Sequence, residues 1–292
     1  MKTRTTTAIA GGLAALILAF PVGTALADGM AKRGSIKDAP PVEVKRDLVI
    51  TGNFAGTTEY VFRGVSQSAE KWTVQAGVDL TYKLFYAGIW ASGLDFGDDP
   101  IRPGQDIAHS EIDYYFGIKP VVGRFTFDLG AIYYTYPRAF DIGGAAVFRE
   151  LDYVELKAGA STEIWKDGTL GVTVFYSPNY TNDTGAVWTV EGAFAQVLPK
   201  IRDVVPTFSA LIGYQAGDDV RFAGAVANGD DNYLYWNAGV NFGFGDRFSL
   251  DFRYWDTNIK SNNAVGGGID GFCTGRVLQC DERFVGTAKV TY

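Results

Sequence analysis

The sequence has little of what most catalytic, metal-binding or helical membrane proteins need. Its 292 residues include one histidine, two cysteines and two methionines. After residue 27, no apolar run approaches the ~20 residues that a transmembrane helix requires. No nucleotide-binding loop or cluster of metal ligands is present, so we expect no cofactor. The formal net charge of −7 argues against nucleic-acid partners, which prefer basic surfaces.

The first 27 residues have the organisation of a secretory signal peptide. Lys2 and Arg4 precede an apolar stretch over residues 8–20, and residues 25–27 form an A-x-A cleavage motif. Because the apolar stretch is short for a membrane anchor, we expect cleavage after residue 27 and export across the inner membrane. Residues 28–47 are polar and aperiodic, which predicts a flexible periplasmic tail.

From residue 48 onward, apolar and polar residues alternate, as they do in β-strands with one apolar face. The alternation is clearest in 72–82, 234–244 and 284–292. The first two of these segments have the length of tilted bilayer-crossing strands, ~9–11 residues, whereas strands in soluble domains average ~5–6. The predicted strands are 48–62, 72–82, 85–94, 110–119, 125–135, 153–163, 169–177, 187–197, 207–215, 234–244, 247–255 and 284–292.

The predicted connections alternate in length, because long ones follow odd-numbered strands and short ones follow even-numbered strands, 199–206 excepted. This is the plan of an outer-membrane barrel with both termini on the periplasmic side. We therefore predict an all-β fold over residues 48–292, an antiparallel transmembrane up-and-down β-barrel of about twelve strands in the cell outer membrane. Outer-membrane lipid and lipopolysaccharide are the expected surroundings, and the sequence does not reveal an oligomeric state.

The direction of the apolar face separates such a barrel from a soluble one. The polar faces are rich in glycine, which a crowded interior favours and a solvated face does not. Aromatic residues near strand ends are typical of interfacial girdles. We therefore expect the apolar face to contact lipid. The predicted girdle residues are Tyr60, Phe62, Trp72, Tyr82, Phe85, Phe125, Trp188, Phe248, Tyr254 and Tyr292.

Several segments resemble the TorF family of porins. They are TTEYVFRGVSQ (57–67), FYAGIWAS (85–92), LDFGD (94–98), EIDYY (111–115), FDLG (127–130), YYTYP (133–137) and YVELKAGAS (153–161). Most of the similar segments lie in the first half of the chain. In the second half, to residue 292, the resemblance is in the spacing of the predicted strands. It implies a signal peptide, an outer-membrane barrel and a pore.

The phase of the strands predicts which ionisable residues line the lumen. They comprise eight acids and three bases, and carboxylate-lined pores favour cations. We therefore predict a weak cation preference. The alternative is that these charges pair across strands and narrow the lumen. The pore-lining candidates are Glu59, Asp79, Glu111, Asp113, Asp128, Glu155, Lys157, Glu191, Asp251, Arg253 and Lys289.

The expected pore is narrow, because eight strands leave a filled interior and 16–18 leave an aqueous channel. The tail 28–47 or the connection 256–283 could fold inward and constrict it further. Small solutes or ions are the expected cargo. The long connections contain clusters of acidic residues, such as Asp218-Asp219. These clusters are either solvated carboxylates or binding sites for divalent cations.

Two further hypotheses concern a disulfide between the two cysteines and catalysis by the single histidine. Cys273 and Cys280 are expected to form a disulfide, worth roughly 2–3 kcal/mol, with two free thiols as the alternative. Catalysis is not expected, because adjacent residues on a strand point apart and His109 cannot pair with Ser110. No catalytic residue is predicted.

Three functional hypotheses follow from these observations. The first is an outer-membrane porin-like channel for passive diffusion of small solutes or ions. The second is a structural or surface-interaction barrel with a plugged lumen. The third is a soluble secreted β-sandwich that binds a ligand.

Overall fold

A computed structural model describes residues 48–97, 107–139, 151–217, 231–259 and 280–292. The predicted signal peptide and tail lie outside these ranges. No helix within them is long and apolar enough to cross a membrane. The described elements are β1 (Leu48–Thr57), β2 (Val61–Phe62), β3 (Val65–Ser66), β4 (Thr73–Tyr82), β5 (Phe85–Gly93), β6 (Ser110–Ile118), β7 (Val121–Val122), β8 (Phe125–Thr135), β9 (Tyr153–Trp165), β10 (Gly168–Ser177), a 3₁₀ turn (Thr181–Asp183), β11 (Val187–Val197), β12 (Val204–Gly217), β13 (Asn232–Phe244), β14 (Phe248–Thr257) and β15 (Arg283–Thr291).

Twelve of the described strands close into one antiparallel barrel. Each pairs with its neighbours in chain order, and β1 closes the ring by pairing with both β4 and β15. The β1–β15 seam runs from Asn53 opposite Thr291 to Thr57 opposite Thr287. β7 only extends the edge of β8, and β2 pairs with β3 in a separate hairpin. The predicted twelve-stranded barrel is confirmed.

The outer surface of the barrel is apolar, as predicted. In β4, Val74 and Val78 are 45% and 56% exposed, whereas the intervening Gln75 is buried. β13 shows the same alternation, because Tyr235 and Asn237 are buried while Trp236 between them is partly exposed. A wide band of exposed apolar side chains fits hydrocarbon and would be unusual in water. The fold is therefore a transmembrane β-barrel.

The two ends of the barrel differ in the length of their connections. At the short-turn end, strands are joined by as few as two residues, Lys83-Leu84 and Lys166-Asp167. Lys83 and Asp167 have positive φ angles of 55° and 63°, which fits tight hairpin turns. At the other end, the long-loop end, the connections include 58–72, 94–109 and 258–282. Residues near the long-loop end of each strand form one half of the interior, and those near the short-turn end form the other.

The first strand is where the prediction of the strand bounds was wrong. Alternation continues to Phe62 in the sequence, but β1 ends at Thr57. The chain then leaves the barrel wall and forms the β2–β3 hairpin, in which Val61 pairs with Ser66 and Phe62 with Val65. The alternation across 58–62 therefore belongs to a separate structure that lies inside the barrel.

Candidate pore

All eleven candidates for lining the pore lie on the inward-facing side. Glu111, Asp113, Glu155 and Glu191 are at most 2% exposed, although no protein covers the outside of the barrel. Such burial is possible only in the interior. Glu59 lies just beyond the end of β1, and its carboxylate accepts a hydrogen bond from Arg283 Nη1 at 2.6 Å. The remaining candidates lie deeper, toward the short-turn end.

A short hairpin fills the interior at the long-loop end. We call residues 61–66 the inner hairpin; it comprises β2, the turn Arg63-Gly64 and β3. Both turn residues have positive φ angles, 50° for Arg63 and 82° for Gly64, as in a type I′ turn. This conformation costs a non-glycine residue on the order of 1–2 kcal/mol, so Arg63 needs compensating contacts.

Arg63 makes those contacts with residues of the barrel wall. Its Nη1 and Nη2 atoms donate to Glu155 Oε1 and Oε2, both at 2.8 Å. The guanidinium also lies over the rings of Phe62 and Phe175, 4.7 and 4.9 Å from their centroids. Glu155 accepts a further hydrogen bond from Tyr134 at 2.9 Å. The bidentate geometry is among the stronger forms of ion pairing, and both partners are 1% exposed.

The inner hairpin touches opposite sides of the barrel. Its Arg63 carbonyl accepts a hydrogen bond from the Tyr233 hydroxyl of β13 at 3.1 Å. The Phe62 ring packs against Tyr134 of β8, with centroids 6.1 Å apart. Gly64 approaches Thr257 of β14 so closely that a Cβ atom would overlap with it. The inner hairpin therefore spans the lumen at this level.

Tyr60, which precedes the inner hairpin, is also buried. It is 2% exposed, and its ring meets Trp90 edge-on at a centroid distance of 5.3 Å. Burial, together with the nearby Glu111 and Asp113 carboxylates, raises the pKa of the Tyr60 phenol well above its usual value. The prediction that Tyr60 and Phe62 belong to an interfacial girdle was wrong, because the chain turns inward after Thr57.

Two groups of interior acids at this level have few partners. The Tyr235 hydroxyl donates to Glu191 Oε1, while Glu191 Oε2 has no hydrogen-bond partner. Glu111 and Asp113 lie two residues apart on the same face of β6, and neither Asp113 oxygen has a partner. The long-loop half of the interior is therefore acidic around the Arg63–Glu155 ion pair.

The short-turn half contains a mixed set of charges. Asp128 accepts hydrogen bonds from Lys157 at 2.8 Å and from the Tyr86 hydroxyl at 2.7 Å. Lys119 lies 3.9 Å from the same carboxylate. These groups are partly exposed, except for Lys157, which is 7% exposed.

Arg253 organises the other side of this half. It donates to Asp251, to Asn237 Oδ1 at 2.7 Å and to Ser209 Oγ at 2.8 Å. Elsewhere in this half, the Tyr115 hydroxyl donates to Asp79 at 2.6 Å. Lys289 is half-buried on the same inner face.

Three interior bases were missed by the sequence analysis. Arg63 and Arg283 lie just outside the predicted strands 48–62 and 284–292, whereas Lys119 is the last residue of the predicted strand 110–119 and follows the observed β6. Each pairs with a predicted interior acid, Glu155, Glu59 and Asp128 respectively. With these three, the interior set has eight acids and six bases, so the acidic surplus is two rather than five. Pairing across strands, the alternative to a free acidic lining, accounts for much of the set.

Glycines make room for the interior tyrosines. The Tyr235 ring covers Gly213 on the neighbouring strand, and a Cβ atom there would overlap with the ring. Tyr86 covers Gly117 and Gly130 in the same way, since a Cβ atom on either glycine would lie 2.5 Å from the Tyr86 hydroxyl oxygen. The glycine-rich inner face thus lets large rings lie flat against the barrel wall.

The cysteine, histidine and loop hypotheses are located as follows. Cys280 is buried, and its carbonyl accepts a hydrogen bond from Thr257 Oγ1 at 2.8 Å. Cys273 lies outside the described residues, so the disulfide stays a prediction. His109 is exposed just before β6. No group of three or more metal-ligating side chains is found within the described ranges, and Asp218-Asp219 lies outside them.

Comparison with models of known protein families assigns the chain to one of them. Residues 43–274 match a family model described as "Bacterial protein of unknown function (Gcw_chp)". The chain belongs to the Gcw_chp family. This match does not carry the TorF assignment, which stays a prediction. No curated protein sequence matches the chain.

Solved structures similar to this fold include two porins. The NanC porin has a TM-score of 0.50 at 9% identity, over 84% of this chain and 99% of its own. The KdgM porin has a TM-score of 0.47 at 6% identity, over 83% of this chain and 98% of its own. LpxR from Salmonella typhimurium has a TM-score of 0.43 at 9% identity, over 83% and 99% of the two chains. At such identities the likeness to NanC shows the fold alone.

Proposed function

We propose that the protein is a porin-like channel of the outer membrane that passes small solutes or ions through a narrow lumen. The observation that carries this proposal is the combination of an apolar outer wall with an interior to which the described residues contribute fourteen acidic or basic side chains. A barrel kept only as a scaffold has no need for so many charges in its interior, because burying charge is costly. Membership of the TorF family of porins would be consistent with this role.

A narrow passage is supported by the way the interior is filled. The inner hairpin occupies the long-loop half, whereas the acids and bases of the short-turn half, apart from Lys157, are partly exposed. In the part of the chain that the structure describes, the connection 58–72 supplies the constriction. The tail 28–47 and most of 256–283, which were the candidates from sequence, lie outside the described residues.

We further propose a weak cation preference. Among the described residues the acids outnumber the bases at the long-loop end, and carboxylates lining a pore attract cations. The short-turn half, with three acids and four bases, is close to neutral. The acids at the long-loop end are Glu59, Glu111, Asp113, Glu155 and Glu191, against the bases Arg63 and Arg283.

The test is ion conduction by the purified protein in planar lipid bilayers. We expect discrete current steps. Across a KCl gradient, we expect the reversal potential to lie on the K⁺ side of zero, toward the equilibrium potential of K⁺. Asp128→Asn should move that potential toward anions, because Asp128 lies inside the lumen beside Lys157. Asp203→Asn is the matched control, since the Asp203 side chain is fully exposed in a short turn. An equal shift in both variants would mean that the current does not pass through the lumen.

A plugged structural barrel is the second candidate, and the buried inner hairpin favours it. In that case, neither the wild-type protein nor a variant with a loosened hairpin conducts ions. We also propose that the protein is not an enzyme, since the exposed His109 is followed directly by Ser110, which points to the other face of the chain.

A further inference from the structure

We propose that the inner hairpin is a movable gate, held shut by the Arg63–Glu155 pair. This inference rests on the proposed channel function and adds its regulation. Three features carry it: how the hairpin is attached, how its position is held, and what it covers.

The inner hairpin is not part of the barrel wall. β2 and β3 pair only with each other among the described strands, and they form a sheet of their own. The backbone of the flanking chain is tied to β15 at Thr58, whose N–H donates to Gly286, and to the connection after β5 at Gln67, whose carbonyl accepts from Asp95. The inner hairpin between these two points can therefore move without breaking any of the barrel's backbone ladder.

The polar contacts that hold the inner hairpin are centred on one residue, while its apolar side chains add packing, since Val61 clusters with Trp255 and Val285. Arg63 makes the bidentate pair with Glu155, stacks on Phe175 and offers its carbonyl to Tyr233. It does so in a left-handed conformation that it would not favour in a free loop. Loss of the ion pair therefore removes the main polar contact and leaves only apolar packing against the unfavourable conformation, which shifts the balance toward release.

The inner hairpin covers carboxylates that a conducting pore would expose. Glu155 is neutralised by Arg63, and Glu191 and Asp113 carry oxygens without hydrogen-bond partners at the same level. Withdrawal of the hairpin removes the one guanidinium that lies on Glu155 and leaves these acids facing the lumen. In the closed state, the inner hairpin therefore covers these acids, and its Arg63 guanidinium neutralises Glu155.

Two substitutions test the latch, Arg63→Gln and Glu155→Gln, each measured on the full-length protein in planar bilayers. Breaking a buried ion pair costs more than the free energy of a tenfold change in an equilibrium constant. Open probability should therefore rise about tenfold or more in each variant. Because both act through the same pair, the double variant should open no further than Glu155→Gln alone. Lys71→Gln is the control, since Lys71 is exposed on the same connection and pairs with Asp95.

A second measurement follows the hairpin directly. The Arg63–Gly64 bond is a trypsin site, and Arg63 is 1% exposed in the closed state. We expect wild-type and Lys71→Gln protein to resist cleavage there, and Glu155→Gln protein to be cut while its barrel still shows heat-dependent migration in SDS gels. That migration also shows that each variant has folded.

The outcomes separate the two proposals. Equal, measurable current in wild type and Glu155→Gln, with no new cleavage, refutes the gate and leaves the channel. Multiplied effects in the double variant refute Arg63–Glu155 as the latch. Cleavage at Arg63 without current in any variant refutes the channel function, and the gate with it.

Discussion

A charge placed on the outer face of the barrel should destabilise it according to its depth in the membrane. Val78 lies near the middle of β4, between Gly52 of β1 and Ile89 of β5, and its side chain is 56% exposed. Arginine on the lipid face costs about 2–4 kcal/mol near the bilayer midplane and about 0–1 kcal/mol near the interface. We therefore expect Val78→Arg to lower the free energy of unfolding by about 2–4 kcal/mol.

Leu84→Arg is the matched control for depth. Leu84 is also exposed, at 41%, but it lies in the two-residue turn after β4, so we expect a cost of about 0–1 kcal/mol. The assay is reversible urea unfolding of the protein folded into lipid vesicles, followed by tryptophan fluorescence. Equal stability of the two variants would refute the assignment of the apolar face to the bilayer core.

Two further predictions concern the interior and the cysteines. Gly213→Ala should destabilise the protein by about 1–3 kcal/mol, because the added methyl displaces the Tyr235 ring; Gly56→Ala, whose Cβ meets nothing within 4 Å, should be neutral in the same unfolding assay. A peptide linking Cys273 to Cys280 should appear in non-reducing mass spectrometry, and reduction should lower stability by roughly 2–3 kcal/mol; two free thiols in the exported protein would contradict this.

Much of the barrel wall could be predicted because its signal is local. A strand with lipid on one side and a lumen on the other alternates residue by residue, as 72–82 does, and the observed strand is Thr73–Tyr82. The same alternation assigned the inward acids to the interior, since the side chains at 111 and 113 must share a face. Strand number and the order of the connections followed from repetition of this pattern.

The inner hairpin could not be predicted in the same way. Arg63-Gly64 between Val61-Phe62 and Val65-Ser66 is a local signal for a tight turn, but alternation through residue 62 favoured a longer first strand. Where the hairpin goes depends on Glu155, 92 positions away. A single sequence carries no sign of that contact. The missed bases have other causes, because Arg63 and Arg283 lie just outside the predicted strands, whereas Lys119 has the phase of Glu111 and Asp113 and the alternation could have assigned it to the interior.

Removal of the inner hairpin is the most direct test of the central claim, that ions cross through the lumen of this barrel. Residues 61–66 would be replaced by a short Gly-Ser link, and single-channel currents would be compared with wild type in planar bilayers. We expect long-lived current steps, larger or more frequent than those of wild type, with cations as the main carriers. A barrel that migrates as folded in SDS gels yet passes no current without its hairpin would contradict the account.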